Sequence, residues 1–181
     1  MSITIRPADL ADEAEDVTAL LVDYMTRAHR QFLEAFGFRG APTDISGLRD
    51  SLGEYGGSSN VLLVAEDSDR GLVGVAGLRS LELGVVEVKR MYVAPECRGL
   101  RVGSLLLDGL LEEAQRMGAS AVRLDTARFM VEAQRLYRSR GFVERPPYPG
   151  TEIPQDLHEF WVFFQLPIGP PAADEPQAQP A

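Results

Sequence analysis

Residues 85–111 read VVEVKRMYVAPECRGLRVGSLLLDGLL, and this stretch decides the fold. Val85 to Val93 is rich in β-branched and apolar residues and predicts a strand. Ala94 to Gly103 carries Pro95, Gly99 and Gly103 and predicts a loop. Ser104 to Met117 predicts a helix with Leu106, Leu107, Leu110, Leu111 and Ala114 on one face and Gly118 as its stop. A glycine-bearing loop that opens a helix gathers unpaired backbone N–H groups and the positive end of the helix dipole at one place, which suits an anion. Arg98 and Arg101 add charge, so the segment has the parts of a pyrophosphate cradle. It lacks Gly-Lys-Ser/Thr, which excludes a Walker loop, and it lacks the three-glycine spacing of a dinucleotide fingerprint. The plain alternative is an ordinary strand–loop–helix connection.

Upstream, Ser2 to Arg6 alternate like a half-buried strand broken by Pro7. Val17, Leu20, Leu21, Tyr24, Met25, Ala28, Phe32 and Phe36 follow the helical period, with acids at the front and Gly37 at the end. Residues 37–59 read as loop plus a short helix. Asn60 to Glu66 and Leu72 to Leu81 predict a hairpin around Asp67–Gly71. Downstream come a short buried strand, Ala121 to Asp125, a helix, Val131 to Arg140, and an aromatic strand, Phe160 to Leu166. From Ile168 the Pro- and Ala-rich sequence has no apolar period and predicts a disordered tail over 168–181, leaving one domain over 1–167. Strands in series followed by alternating helices and strands fit an α/β or α+β domain with a mixed sheet.

The chain has 181 residues, enough for one domain with its own core. One cysteine excludes a disulfide framework, and one Cys with two His leaves little for a metal. No apolar run approaches the length of a membrane span, and no signal pattern opens the chain, so a cytoplasmic protein is expected. The net charge of −9 argues against nucleic-acid and anionic-membrane binding. The charge is uneven. Residues 88–145 hold eleven Lys and Arg against seven Asp and Glu, a local +4 inside a remainder of −13. This fits a small polyanion at one site, and equally a solvated helix surface.

Arg98-Gly99-Leu100-Arg101-Val102-Gly103 resembles the acyl-CoA-binding motif of the GNAT superfamily of N-acyltransferases, Gln/Arg-x-x-Gly-x-Gly/Ala, with Arg101 where that pattern prefers glycine. LDTARFMVEAQRLYRSRGF, residues 124–142, resembles the second half of the family signature through Ala133, Leu136, Tyr137, Gly141 and Phe142. The resemblance implies a mixed, mostly antiparallel central sheet flanked by helices on both faces. It also implies acetyl-CoA as cosubstrate, with no metal. The backbone of Arg98, Gly99, Leu100, Arg101, Val102, Gly103 and Ser104 would bind its pyrophosphate. Met91, Tyr92 and Val93 would pair with the pantetheine arm and polarise the thioester carbonyl, and Ala133 would lie beside the cofactor.

Tyr137 is the candidate general acid for the departing thiolate, since a phenol is well matched to an alkyl thiol; otherwise it is a packed helix tyrosine. Glu87 is the candidate general base, read as sharing a face with Val85, Lys89, Met91 and Val93; otherwise it is an ion-pair partner of Lys89 or an Arg. Asp125 and Thr126 line the acceptor pocket or cap the next turn. Tyr148, Glu152 and His158 flank the final strand, where the acceptor loops of the family lie; His29 and His158 read as surface residues, with His158 as a base and His29 on the acceptor side as the alternatives. Cys97 invites an acyl-enzyme, against the direct attack usual in the family. Trp161 is core or pocket wall. The expected activity is acetyl transfer to a primary amine of a small molecule. The acidity outside the cofactor segment favours a cationic acceptor. A peptide acceptor and a non-catalytic acyl-CoA sensor are the alternatives. The resemblance admits a homodimer.

Overall fold

The structure is a computed structural model, and it describes residues 2–37, 45–57 and 59–169. Seven strands form one sheet: β1 (Ile3–Pro7), β2 (Asn60–Asp67), β3 (Gly71–Glu82), β4 (Val85–Val93), β5 (Ala121–Ala127), β6 (Val143–Arg145) and β7 (Trp161–Pro167). Four helices pack on it: α1 (Ala14–Phe36), α2 (Ile45–Asp50), α3 (Val102–Arg116) and α4 (Val131–Ser139). The strand order is β1-β2-β3-β4-β5-β7-β6, and every pairing is antiparallel except β4 with β5. The sheet is therefore mixed and mostly antiparallel, as expected.

The apolar run of β2 is continuous because both faces of the strand are covered. Leu62 and Val64 join Val17, Leu21, Leu52, Tyr55, Val75 and Tyr92 beneath α1. Leu63 and Ala65 join Leu106, Leu107, Leu110, Val122, Leu124 and Phe164 beneath α3. Pro7, expected to break β1, is instead its last residue, paired with Leu63; an edge strand tolerates a residue with no N–H. α1 ends at Gly37, whose left-handed backbone brings its N–H to Leu33 O at 2.9 Å.

Two features of β4 shape everything that follows. It pairs with β5 only through Val85–Glu87, opposite Ala121–Arg123, and beyond that point no pairing joins the two strands. Their later halves leave unzipped backbone between them. β4 also carries a bulge against β3. Val75 pairs with Tyr92 while Gly77 pairs with Lys89, so β4 spends one extra residue, and Arg90 sits in the left-handed region at φ 57°. An inserted residue reverses the alternation of side chains. Val86 and Val88 face α3, and after the bulge Met91 and Val93 face that same side, while Tyr92 joins the α1 side. The expectation that Glu87 shares a face with Met91 and Val93 counted straight through the bulge and is corrected here.

Ile168 and Gly169, assigned to the tail from sequence, donate N–H bonds to Ser120 O at 2.9 and 3.2 Å, and Ile168 packs on the core. The rest of the predicted tail, residues 170–181, lies outside the described residues.

Candidate active site

A cavity of about 590 Å³ lies between α1, the end of β4, the 97–104 loop and α4. One wall is the predicted cradle. Arg98, Gly99, Arg101, Val102, Gly103 and Ser104 all border the cavity. Leu105 N–H makes the first intrahelical bond of α3, to Arg101 O at 3.0 Å, so the N–H groups from Arg101 to Ser104 belong to the turn that has no earlier carbonyl to meet. Arg101 adopts φ 64°, ψ 8°, and Gly99 adopts φ 80°. The loop thus takes at Arg101 the left-handed shape that glycine takes most cheaply. A Cβ on Gly103 would meet Leu136, Met91 and Val93 at 3.6 to 3.8 Å, ordinary contact, but any longer side chain has nowhere to go except into these groups or the cavity.

Leu100 departs from the expectation. It is 42% exposed, does not border the cavity, and its N–H goes to Cys97 O at 3.4 Å. Arg98 N–H is likewise turned inward, to Pro95 O at 3.2 Å. Cys97 is buried within this turn and touches the cavity.

The far wall brings in Met91, Tyr92, Val93, Ala133, Leu136 and Tyr137. Tyr137 is buried with its ring against Phe142 and Phe164, and its hydroxyl lies 3.8 Å from Met91 Sδ. Burial first, then the fields of Tyr24 and Asp125, push its titration well above the ordinary phenol range, so it stays protonated. The α1 wall was not foreseen as part of the site. Tyr24, Arg27, Ala28 and Gln31 supply it at the 3–4 spacing of one helix face. The Tyr92 hydroxyl donates to Asp23, which also accepts from Arg27 Nε at 2.8 Å, so α1 is tied to β4 at the cavity edge.

Glu87 is not brought to the cavity. It is fully buried and does not border it. Arg79 Nε donates to Oε2 at 2.7 Å and the Tyr148 hydroxyl donates to Oε1 at 2.7 Å. Lys89 Nζ stands 3.9 Å away. Arg79 also reaches Glu152 at 2.8 Å, and Lys89 reaches Glu152 at 3.2 Å and Asp125 at 3.4 Å. The carboxylate is the centre of an ion network, the alternative that the sequence left open. Burial alone would lower the Lys89 titration, and the three carboxylates around it outweigh that and raise it. Burial holds Asp125 above the usual carboxylate range against the pull of Lys89. The cluster sets the cations Arg79, Lys89 and Arg90 beside the carboxylates Glu87, Asp125 and Glu152.

Tyr148 is buried between the guanidiniums of Arg123 and Arg145, at 5.4 and 5.3 Å from its ring centroid. His158 stacks edge-on to Phe163 and bonds Ile153 O at 2.9 Å through Nε2, a structural role. Thr126 is buried with its hydroxyl 3.5 Å from Met130 Sδ, and both Asp125 and Thr126 lie within β5 rather than at its end. Trp161 packs at 5.2 Å from Phe32, in a group of rings with Phe36, Phe129 and Phe160 beyond the α1 wall. Among the described residues no group of His, Cys, Asp and Glu is arranged to hold a metal, and no helix is long and apolar enough to cross a membrane.

Residues 19–142 match the acetyltransferase (GNAT) family. The chain belongs to that family. An uncharacterized N-acetyltransferase of Schizosaccharomyces pombe is 29% identical over 158 residues, covering 87% of this chain and 93% of its own. An IAA acetyltransferase of Azospirillum brasilense is 42% identical over 87 residues, 48% of this chain and 54% of its own. In fold, a GNAT superfamily phosphinothricin acetyltransferase of Sinorhizobium meliloti, solved in complex with AcCoA, superposes with a TM-score of 0.74 at 19% identity, covering 98% of this chain and 95% of its own. The protein is a GNAT-family acetyltransferase, and its seven-stranded sheet with helices on both faces is the family fold.

Proposed function

We propose that the cavity binds acetyl-CoA and that the enzyme transfers the acetyl group to a primary amine of a small molecule by direct attack. One observation carries this: the loop at the start of α3, the unpaired end of β4 and Tyr137 border a single cavity. The groups present suit the cosubstrate. Unpaired N–H groups at the start of α3, with Arg98 and Arg101 beside them, match a pyrophosphate. Gly103 leaves the room a phosphate needs to come close. Beyond Glu87 the strand has no β5 partner, so the backbone around Met91 and Val93 is available to the pantetheine amides and to the thioester carbonyl.

The amine must lose a proton before it attacks, and the thiolate must gain one as it leaves. Tyr137, held protonated by its burial, serves as the proton donor. Glu87, locked between Arg79 and Tyr148, fixes the network and is not the base. Asp125 is the better acceptor for the ammonium proton. Like Glu87 it does not border the cavity, and it is paired with Lys89, but it stands close enough to raise both Tyr24 and Tyr137, which do border it, and burial makes it a stronger base than an ordinary carboxylate. Because its titration lies above the usual carboxylate range, activity should rise with pH as Asp125 ionises and level off above that point.

The test is isothermal titration with acetyl-CoA and free adenine nucleotides, then an amine screen followed by release of free thiol. Selective binding with turnover supports the reading. Binding without turnover of small amines or peptides makes the protein a sensor, and turnover of peptides alone moves the acceptor class. Asp125→Asn should remove the acid limb of the pH–rate profile while acetyl-CoA still binds.

A further inference from the structure

Three cations line the acceptor side of β4, and two of them are paired. Arg79 is paired with Glu87 and Glu152, and Lys89 with Asp125 and Glu152. Arg90 has no carboxylate within 4.0 Å among the described residues, and its Nη1 is buried with no hydrogen-bond partner. Its guanidinium lies 5.4 Å from the centre of the Tyr55 ring, on the α1 face of the sheet, in the field of Glu152. An arginine cannot shed its charge, so a buried guanidinium nitrogen without an acceptor is costly. The same residue is one of two side-chain-bearing residues among those described with positive φ, a second cost at one position. Strain and an unsatisfied donor coincide at the bulge that leads directly to Met91. Observed outliers of this kind point to a task, and nothing in the acetyl-transfer steps uses Arg90.

The charge balance says which ligand fits. Arg79 and Lys89 already have Glu87, Asp125 and Glu152 as partners, and Arg90 has none among the described residues, so the open charge here is a single cation. A polyamine would add to that charge and a doubly charged phosphate would overshoot it, whereas one carboxylate answers it. A planar carboxylate matches the guanidinium fork, and the acetyl-transfer reading requires an amine on the same small molecule.

We infer that Arg90 anchors the carboxylate of the acceptor, and that the acceptor is a free amino acid carrying amine and carboxylate in one small molecule. This rests on the acetyl-transfer reading above. Arg90 selects the acceptor and does not handle acetyl-CoA.

The experiment compares L-phenylalanine, L-methionine and L-lysine with their carboxylate-free counterparts phenethylamine, 3-(methylthio)propylamine and cadaverine. Wild type, Arg90→Lys and Arg90→Gly are assayed for thiol release, with acetyl-CoA binding and binding of each acid measured separately by calorimetry. Glycine fits the left-handed backbone at position 90, so that variant removes the guanidinium without backbone strain. Wild type should prefer at least one acid over its amine by roughly a hundredfold in kcat/KM, and Arg90→Gly should erase that preference, mostly through KM. Arg90→Lys should keep part of it, and acetyl-CoA affinity should not move. A merely structural role would lower acids and amines together. Equal use of acids and amines by wild type, a preference that survives in Arg90→Gly, or no binding and no turnover of any acid while acetyl-CoA binds, each overturns the inference. Failure of acetyl-CoA to bind defeats the acetyl-transfer reading instead, and the acid titrations of wild type and Arg90→Gly then judge Arg90 alone.

Discussion

The two sides of β4 are built on different principles. On the α3 side the proposed anion cradle is made of main chain: Gly99 and the run from Arg101 to Ser104, a helix start, and a glycine that leaves space. On the α1 side the acceptor region is made of side chains drawn from distant parts of the chain. Arg79, Glu87, Lys89, Asp125, Tyr148 and Glu152 meet there through ion pairs and hydrogen bonds, with Arg90 beside them. The cradle depends on backbone shape and room, so it tolerates exchange of most side chains and fails when a glycine is filled. The network depends on mutual charge, so it fails when one partner is removed.

That contrast can be broken by experiment. The largest effect should come from Gly103→Leu, which drives a branched side chain at Leu136, Met91 and Val93. Acetyl-CoA affinity should fall by about a thousandfold or more, near 4 kcal/mol, while the far-ultraviolet circular dichroism keeps its shape. Gly103→Ala, whose Cβ meets only ordinary contacts, should bind nearly as wild type. Next, Arg79→Ala removes the guanidinium partner, at 2.7 Å, of a fully buried carboxylate. Denaturant unfolding should show a loss of about 3 kcal/mol, as when a buried ion pair is broken from one side. A loss under 1 kcal/mol would mean that Lys89 and Tyr148 suffice, and that the network is less interdependent than described. Tyr137→Phe should lower kcat by about a hundredfold, or 2.7 kcal/mol, at unchanged acetyl-CoA affinity. The smallest effect tests the cradle alone. Arg101→Gly relieves a left-handed backbone of up to about 1 kcal/mol, so the midpoint of thermal unfolding should rise slightly with the cosubstrate still bound.

The same contrast explains what could be read in advance. The cradle was legible because its parts are contiguous: β4 runs over Val85–Val93 as its composition indicates, and α3 starts two residues earlier than its apolar stripe suggests. Tyr137 and Ala133 came with it, since one helical turn places both on the cavity. The network was not legible. Arg79 lies one hairpin away from Glu87 and Tyr148 lies 61 positions away, and no local pattern joins them. The bulge at Arg90 left no mark that a count of alternating residues could detect, which is why Glu87 was put on one face with Met91 and Val93. β6, three residues long, is too short to carry a periodic signal and exists because β7 offers it an edge.

The tie between Tyr92 and Asp23 has a consequence for motion. A helix that forms one wall of a cavity can widen it only by drawing away from the sheet, and here the sheet holds on by a phenol and a carboxylate. Burial and the carboxylate push the Tyr92 phenol up to about 12, and that same bond holds Asp23 below its ordinary value. Donor and acceptor therefore keep their protonation states from mild acid to strong base. The tie between α1 and β4 at the cavity edge is a latch that neutral pH does not touch.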